Sequence, residues 1–135
     1  MSGFKELGIA DDFVKGLSEM GITVPTSIQK EVIPALIDND GDLIGQAQTG
    51  TGKTLSYALP AVELVQKHEK ENGRRTKKGA PLIVILAPTR ELSFQILGVL
   101  KDISHHVKFR ARTLIASMKK MDEEKLAQSA FEVLV

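Results

Sequence analysis

Residues 45–54, GQAQTGTGKT, place three glycines, three threonines and one lysine directly after the apolar pair Leu43-Ile44. An ordinary turn needs one or two glycines. Here Gly45, Gly50 and Gly52 precede a lysine that stands where a helix should begin. The pattern demands a strand before the loop and a helix after it. A helix start carries unpaired N–H groups and about half a positive charge, so it attracts anions. Glycines let successive N–H groups converge on such an anion. The stretch therefore reads as a phosphate cradle, and the alternative is a glycine-rich turn whose lysine points to solvent.

In strand–loop–helix context the pattern G-x-x-x-x-G-K-[ST] binds nucleotide phosphates. Gly52, Lys53 and Thr54 match its end, and Ala47 stands at its first glycine. The resulting AQTGTGKT is similar to the variant used by one large branch of P-loop ATPases. Lys53 is expected to reach the β- and γ-phosphates, and the Thr54 hydroxyl to ligate Mg²⁺.

The flanking sequence supplies that context. Asp11 or Asp12 is expected to cap a helix carrying Phe13, Val14, Leu17 and Met20, with Gly21 as its stop. Thr26 or Ser27 is expected to cap a second helix, kinked or loosened at Pro34 and ended by the break Asn39-Asp40-Gly41. Asp42 to Ala47 reads as a short strand, and a long helix follows from Lys53 with Pro60 inside it. Residues 66–79, QKHEKENGRRTKKG, read as a solvated helix end and loop. The basic cluster Arg74, Arg75, Lys77 and Lys78 lies there beside Glu69 and Glu71, and is taken as solvated. Leu82 to Ala87, LIVILA, is a continuous apolar run, expected to be a strand covered on both faces. A helix over Thr89 to Ser104, a strand over Phe109 to Ile115, a helix over Asp122 to Ser129 and a strand from Phe131 complete the chain. Alternating strands and helices indicate an α/β layer fold with a mainly parallel sheet.

Composition narrows the functional classes. With 135 residues, 42% hydrophobic and 26% charged, the chain is the size of one domain with one core. The net charge of +1 gives no overall field for nucleic acid or membrane, so such a role must rest on a local patch. The absence of cysteine excludes disulfides and thiolate sites and fits a reducing compartment. No apolar stretch is long enough to span a membrane.

Two further segments bear on function. GITVPTSIQ, Gly21 to Gln29, places Gln29 at a helix start, 24 residues before Lys53. A glutamine can donate to adenine N7 while accepting from its N6 amine. Alone, Gln29 reads more simply as a surface residue. LIVILAPTRELSFQ turns from strand to helix through Pro88-Thr89-Arg90-Glu91, at the carboxyl edge where open α/β sheets bind ligands. A hydroxyl, a guanidinium and free helix-start N–H groups suit a nucleic-acid phosphate. Alone, Thr89 reads as an N-cap and Arg90-Glu91 as a solvated first turn.

Taken in order, PTSIQ, AQTGTGKT and APTRELSFQ resemble the Q motif, motif I and motif Ia of the DEAD-box ATP-dependent RNA helicases, with Phe4 matching an isolated aromatic 17 residues before Gly21. The resemblance implies a partial RecA-like P-loop domain over residues 1–135, with a Q-motif helical region over 1–41. It implies that Phe4, Thr26 and Gln29 recognise adenine. Gly50, Gly52, Lys53 and Thr54 would hold ATP and Mg²⁺ in a loop shaped by Ala47, Gln48, Thr49 and Thr51. Lys53 and Thr54 would serve catalysis, and Pro88, Thr89 and Arg90 would contact RNA. The implied partners are RNA and a second RecA-like domain, with no membrane, in an intracellular, cytoplasmic or nuclear setting. Two positions depart from the family: Ile22 replaces an aromatic, and Ala116-Ser117 replaces a Gly-Gly RNA contact. The chain stops at FEVLV, inside an apolar run, and lacks the D-E-A-D and S-A-T motifs. The expectation is a truncation before the acidic-motif strand and a fragment inactive by itself.

Overall fold

A computed structural model describes residues 3–38, 41–73 and 77–135. Asn39, Asp40, Arg74 and Arg75, named above for a break and a basic cluster, lie outside the described residues. Six helices and three strands are assigned among them: α1 (Gly3–Glu6), α2 (Asp11–Glu19), α3 (Ser27–Ile37), α4 (Lys53–Asn72), β1 (Ile83–Val84), α5 (Arg90–Ser104), β2 (Ala111–Arg112), α6 (Lys120–Ala127) and β3 (Val133–Leu134).

The strands form a parallel sheet in the order β1-β3-β2. The last strand is therefore central, and both crossovers between neighbours pass through helices, as parallel pairing requires. Ile83 aligns with Val133 and Val133 with Ala111, so these three side chains share one face. That face meets α5, and Val133 and Ala111 join Ile96, Leu100 and Ile103 in the core. The same core holds Phe13 and Leu17 of α2, Ile33 of α3, and Ala58, Leu59 and Val62 of α4.

Two strand expectations are corrected. LIVILA is covered on one face only: Leu82, Val84 and Leu86 are 42%, 58% and 90% exposed. Helices α2 to α5 pack on the side of Ile83 and Ile85, while α6 buries none of its residues. Asp42 to Ala47 is not a strand, since a strand needs a neighbour to take its N–H and C=O groups. This segment joins no ladder and lies along α3, with Gly45 facing Val32 and Ile28, and Ile44 is fully exposed.

Two helix expectations are corrected: neither Asp11 nor Asp12 caps α2, and Pro34 does not interrupt α3. Ala10 is the N-cap of α2, with Asp11 and Asp12 in its first turn, where carboxylates suit the dipole. Gly21 takes φ +76° just beyond the helix end. Both α3 and α4 run through their prolines without interruption, because packing holds them: Ile33, Leu59 and Pro60 are buried.

One ion pair ties the sheet together. Glu132 is 2% exposed and accepts from the Arg110 backbone N–H at 2.6 Å and from its Nη2 at 2.6 Å. Its backbone N–H in turn donates to the Arg110 carbonyl at 3.0 Å. The carboxylate hydrogen bond raises the Arg110 pKa above its ordinary value. Replacing Glu132 by Ala removes the acceptor of three Arg110 donors, the backbone N–H, Nε and Nη2, where β2 meets β3. Because Arg110 is half exposed and keeps its solvation, urea unfolding should show a loss of about 1–3 kcal/mol, mainly from the unpaired backbone N–H, and a variant as stable as the original would contradict this account.

Candidate nucleotide and nucleic-acid site

The phosphate loop is built from the α3 start, residues 45–52 and the α4 start. Thr26 caps α3 with β-region backbone, and its N–H donates to Gln29 Oε1 at 2.9 Å, in a capping box. The other end of the amide turns to the loop: Gln29 Nε2 donates to the Gly52 carbonyl at 3.2 Å. Gln29 is thus 2% exposed, although its sequence context suits a surface position equally well.

Gly50 and Gly52 both occupy the left-handed region, at φ +82° and +84°. Their surroundings differ. A Cβ on Gly50 would meet nothing within 4 Å, whereas one on Gly52 would overlap Gln29 Nε2 and lie 3.3 Å from Thr26 Oγ1. The first α4 bond runs from the Ser56 N–H to the Gly52 carbonyl at 3.1 Å, so the N–H groups of Lys53, Thr54 and Leu55 precede the helix ladder. Within the loop, Thr51 Oγ1 donates to the Gln48 carbonyl at 2.6 Å, and Lys53 Nζ donates to the Ala47 carbonyl. Gln48, Thr49, Gly50 and Lys53 are exposed, while Ala47, Thr51 and Thr54 are half-buried. Two left-handed glycines, an exposed lysine whose amine rests on the Ala47 carbonyl, and the open start of a 20-residue helix are an arrangement that suits a polyphosphate anion.

Phe4 lies elsewhere. It is fully buried in the core, and the structure does not bring its ring to the loop surface. The second cluster sits at the carboxyl edge of the sheet. Pro88, Thr89 and Arg90 are exposed there, and Thr89 caps α5 by accepting from the Leu92 N–H at 3.2 Å. Arg90 Nη1 donates to Ser117 Oγ at 3.4 Å, which joins the turn after β1 to the loop after β2. Its guanidinium also lies 5.9 Å from the centre of the Phe94 ring. The sequence reading did not single out Phe94, although Arg90 and Phe94 stand at the i, i+4 helical spacing that brings side chains together. Among the described residues no hydrogen bond joins this edge to residues 45–54.

The remaining shifted carboxyl is remote from both clusters. Burial pushes the Glu63 pKa up, against the Ala10 N–H it accepts at 3.2 Å. The largest groove, about 770 Å³, lies between α3, α4 and β1, lined by Leu36, Tyr57, Leu64, Ile83 and Ile85 among others. Its lining is mainly apolar and also carries the carboxylates Asp38 and Glu71, which does not suit a triphosphate. Among the described residues no group of three or more His, Asp or Glu could hold a metal, and no helix is long and apolar enough to cross a membrane.

A parallel α/β sheet and a glycine-rich loop at the start of α4 agree with the P-loop pattern in the loop and the helix, but residues 42–47 do not form the strand that the pattern places before the loop. The family follows from comparison: residues 26–135 match the DEAD/DEAH box helicase model, and the chain belongs to that family. It is 38% identical over all 135 residues to DEAD-box ATP-dependent RNA helicase 39 of Arabidopsis thaliana, and covers 22% of that protein. It is 35% identical over 128 residues to ATP-dependent RNA helicase HAS1 of Pyricularia oryzae, covering 20% of it. The chain thus spans about a fifth of the length of these relatives. Among solved structures, S. cerevisiae Dbp5 bound to RNA and ADP BeF3 superposes over the whole chain with a TM-score of 0.78, at 28% identity and 32% of Dbp5. A DEAD box protein from the hyperthermophile Methanococcus jannaschii superposes over 98% of the chain with a TM-score of 0.79, at 26% identity and 33% of its own length. These neighbours have RecA-like helicase domains, the fold seen here.

The two loop glycines give a direct test. Gly50→Ala meets only the left-handed backbone cost and should lose about 1 kcal/mol in thermal unfolding. Gly52→Ala meets the same cost and also displaces Gln29, so it should lose about 2–3 kcal/mol. Equal losses would show that the Gln29–Gly52 contact has no energetic weight.

Proposed function

We propose that residues 1–135 are the N-terminal part of the first RecA-like domain of an ATP-dependent RNA helicase, with residues 1–41 reading the adenine base. The observation that carries this reading is the bond from Gln29 Nε2 to the Gly52 carbonyl. It ties a side chain suited to adenine directly to the phosphate loop. With one bond made at each end, the Gln29 amide keeps one N–H and one carbonyl lone pair. Adenine offers the complementary pair, N7 as acceptor and N6 as donor, whereas guanine offers acceptors at both O6 and N7. Thr26, exposed at the same helix start, marks the side from which the base approaches. Phe4 supports this segment from within the core.

In the same reading Gly50 and Gly52 turn loop N–H groups toward the phosphates. Lys53 exchanges its bond to Ala47 for phosphate oxygens, and Ala47, Gln48, Thr49 and Thr51 hold the loop in shape. Mg²⁺ bound with the triphosphate neutralises charge on its oxygens, and the Thr54 hydroxyl is the ligand this chain offers it. Thr89 and Arg90 donate to phosphates of the RNA backbone, and Pro88 contacts that backbone through its ring. The Dbp5 neighbour, solved with RNA and ADP BeF3, supports both ligands. In the longer protein a second RecA-like domain closes on ATP and RNA, and the setting is intracellular. Residues 1–135 do not contain the D-E-A-D motif whose carboxylates would complete Mg²⁺ ligation and position water, so we propose that this chain by itself binds nucleotide without turning it over.

Two variants test the assignment by equilibrium titration with labelled nucleotides. Lys53→Ala should weaken ATP binding by about tenfold or more, and undiminished affinity would remove the lysine from the phosphate site. Gln29→Ala should narrow the preference for ATP over GTP by the about 1–3 kcal/mol that such an amide pair contributes. An unchanged ratio would sink the base-reading role.

A further inference from the structure

We propose that Phe94 and Ser117 are positioning residues that fix the Arg90 guanidinium at the carboxyl edge of the sheet and so set how tightly this edge holds a nucleic-acid phosphate. The inference rests on the RNA-backbone reading given above. Arg90 opens α5, and Phe94 lies one turn further along the same face. The guanidinium carbon stands 5.9 Å from the ring centre, within the range at which an aromatic face attracts a cation. From another element, the loop after β2, Ser117 Oγ accepts from Nη1 at 3.4 Å. The arginine is thus held from two sides by groups 27 and 4 residues away in sequence.

The placement of Phe94 is itself informative. The chain has five Phe and one Tyr, and all except Phe94 are buried or half-buried. Phe94 is 45% exposed. A lone exposed apolar side chain is ordinary, but this one is the single exposed aromatic and lies against the one arginine of the turn. Binding a phosphate freezes the rotamers of a free arginine, and an arginine already held loses less freedom. The Ser117 bond uses one of the five guanidinium donors, so a bidentate fork remains for phosphate oxygens. The Ser117 hydroxyl hydrogen also stays available to the same phosphate. Serine at this position, where the resemblance predicts a glycine, therefore supplies an acceptor that glycine lacks.

The test is fluorescence anisotropy of a labelled 12-nucleotide uridine strand titrated with the 135-residue chain at fixed salt, with the melting temperature of each variant as a control. Arg90→Ala should weaken binding. Phe94→Ala should weaken it by about two- to fivefold without lowering the melting temperature. Phe94→Tyr should restore affinity and Phe94→Leu should not, because only the former keeps the aromatic face. Ser117→Ala should give a smaller loss in the same direction. Adding Phe94→Ala to Arg90→Ala should have no further effect. Full affinity in Phe94→Leu, or losses that add in the double variant, would overturn the positioning role. If Arg90→Ala weakens binding while Phe94→Ala does not, this inference fails and the RNA reading stands. If Arg90→Ala binds like the original chain, the RNA reading fails and this inference goes with it.

Discussion

The left-handed turn at Gly52, closed over by the Gln29 amide, is the constraint on which the arrangement of the α3 and α4 starts depends. One side chain performs three tasks there. It accepts the Thr26 N–H that would otherwise be orphaned at the start of α3, it donates to the Gly52 carbonyl, and it fills the space where a Cβ would sit. The same carbonyl accepts the first bond of α4. The starts of α3 and α4 are therefore fixed relative to each other through one amide. Beneath them, Ile33, Ala58, Leu59 and Val62 are fully buried, so the core holds the two helix axes while Gln29 holds their ends.

The other end of the molecule is organised by β3. As the central strand it receives hydrogen bonds from both neighbours, and its Glu132 clasps Arg110 at the edge of β2. That clasp lies at the amino end of the strands. The carboxyl end carries Thr89, Arg90 and Ser117, where exposed polar groups replace buried ones. One parallel sheet thus presents an amino end held by the Arg110–Glu132 pair and a carboxyl end where Thr89, Arg90 and Ser117 are exposed. Parallel strand direction produces this polarity, because β1 and β2 deliver their following loops to the same edge.

Much of this was legible because the signals are local. Glycines at 50 and 52 before Lys53 require a loop and a helix start, and Thr26 with Gln29 three residues on spells a capping box. Thr89 before an amphipathic run marks the start of α5. Other features depend on distant neighbours. LIVILA reads as fully buried, yet Val84 and Leu86 face outward, since burial depends on which helices pack against the strand. Asp42 to Ala47 has the residues of a strand but not the partner that makes one. Glu132 looks like a polar interruption in FEVLV until Arg110 is seen beside it.

The sequence by itself determined where most helices begin, where backbone must turn left-handed, and that a glycine-rich loop precedes α4, because these follow from φ, capping and helix-dipole physics within a few residues. Only the tertiary structure decided that Gln29 is buried against Gly52, that β3 is the central strand, and that Arg90 is held between Phe94 and Ser117. The physical reason is common to all three. Each depends on groups from separate elements meeting at hydrogen-bond or ring-contact distance, and no local propensity encodes which elements will meet.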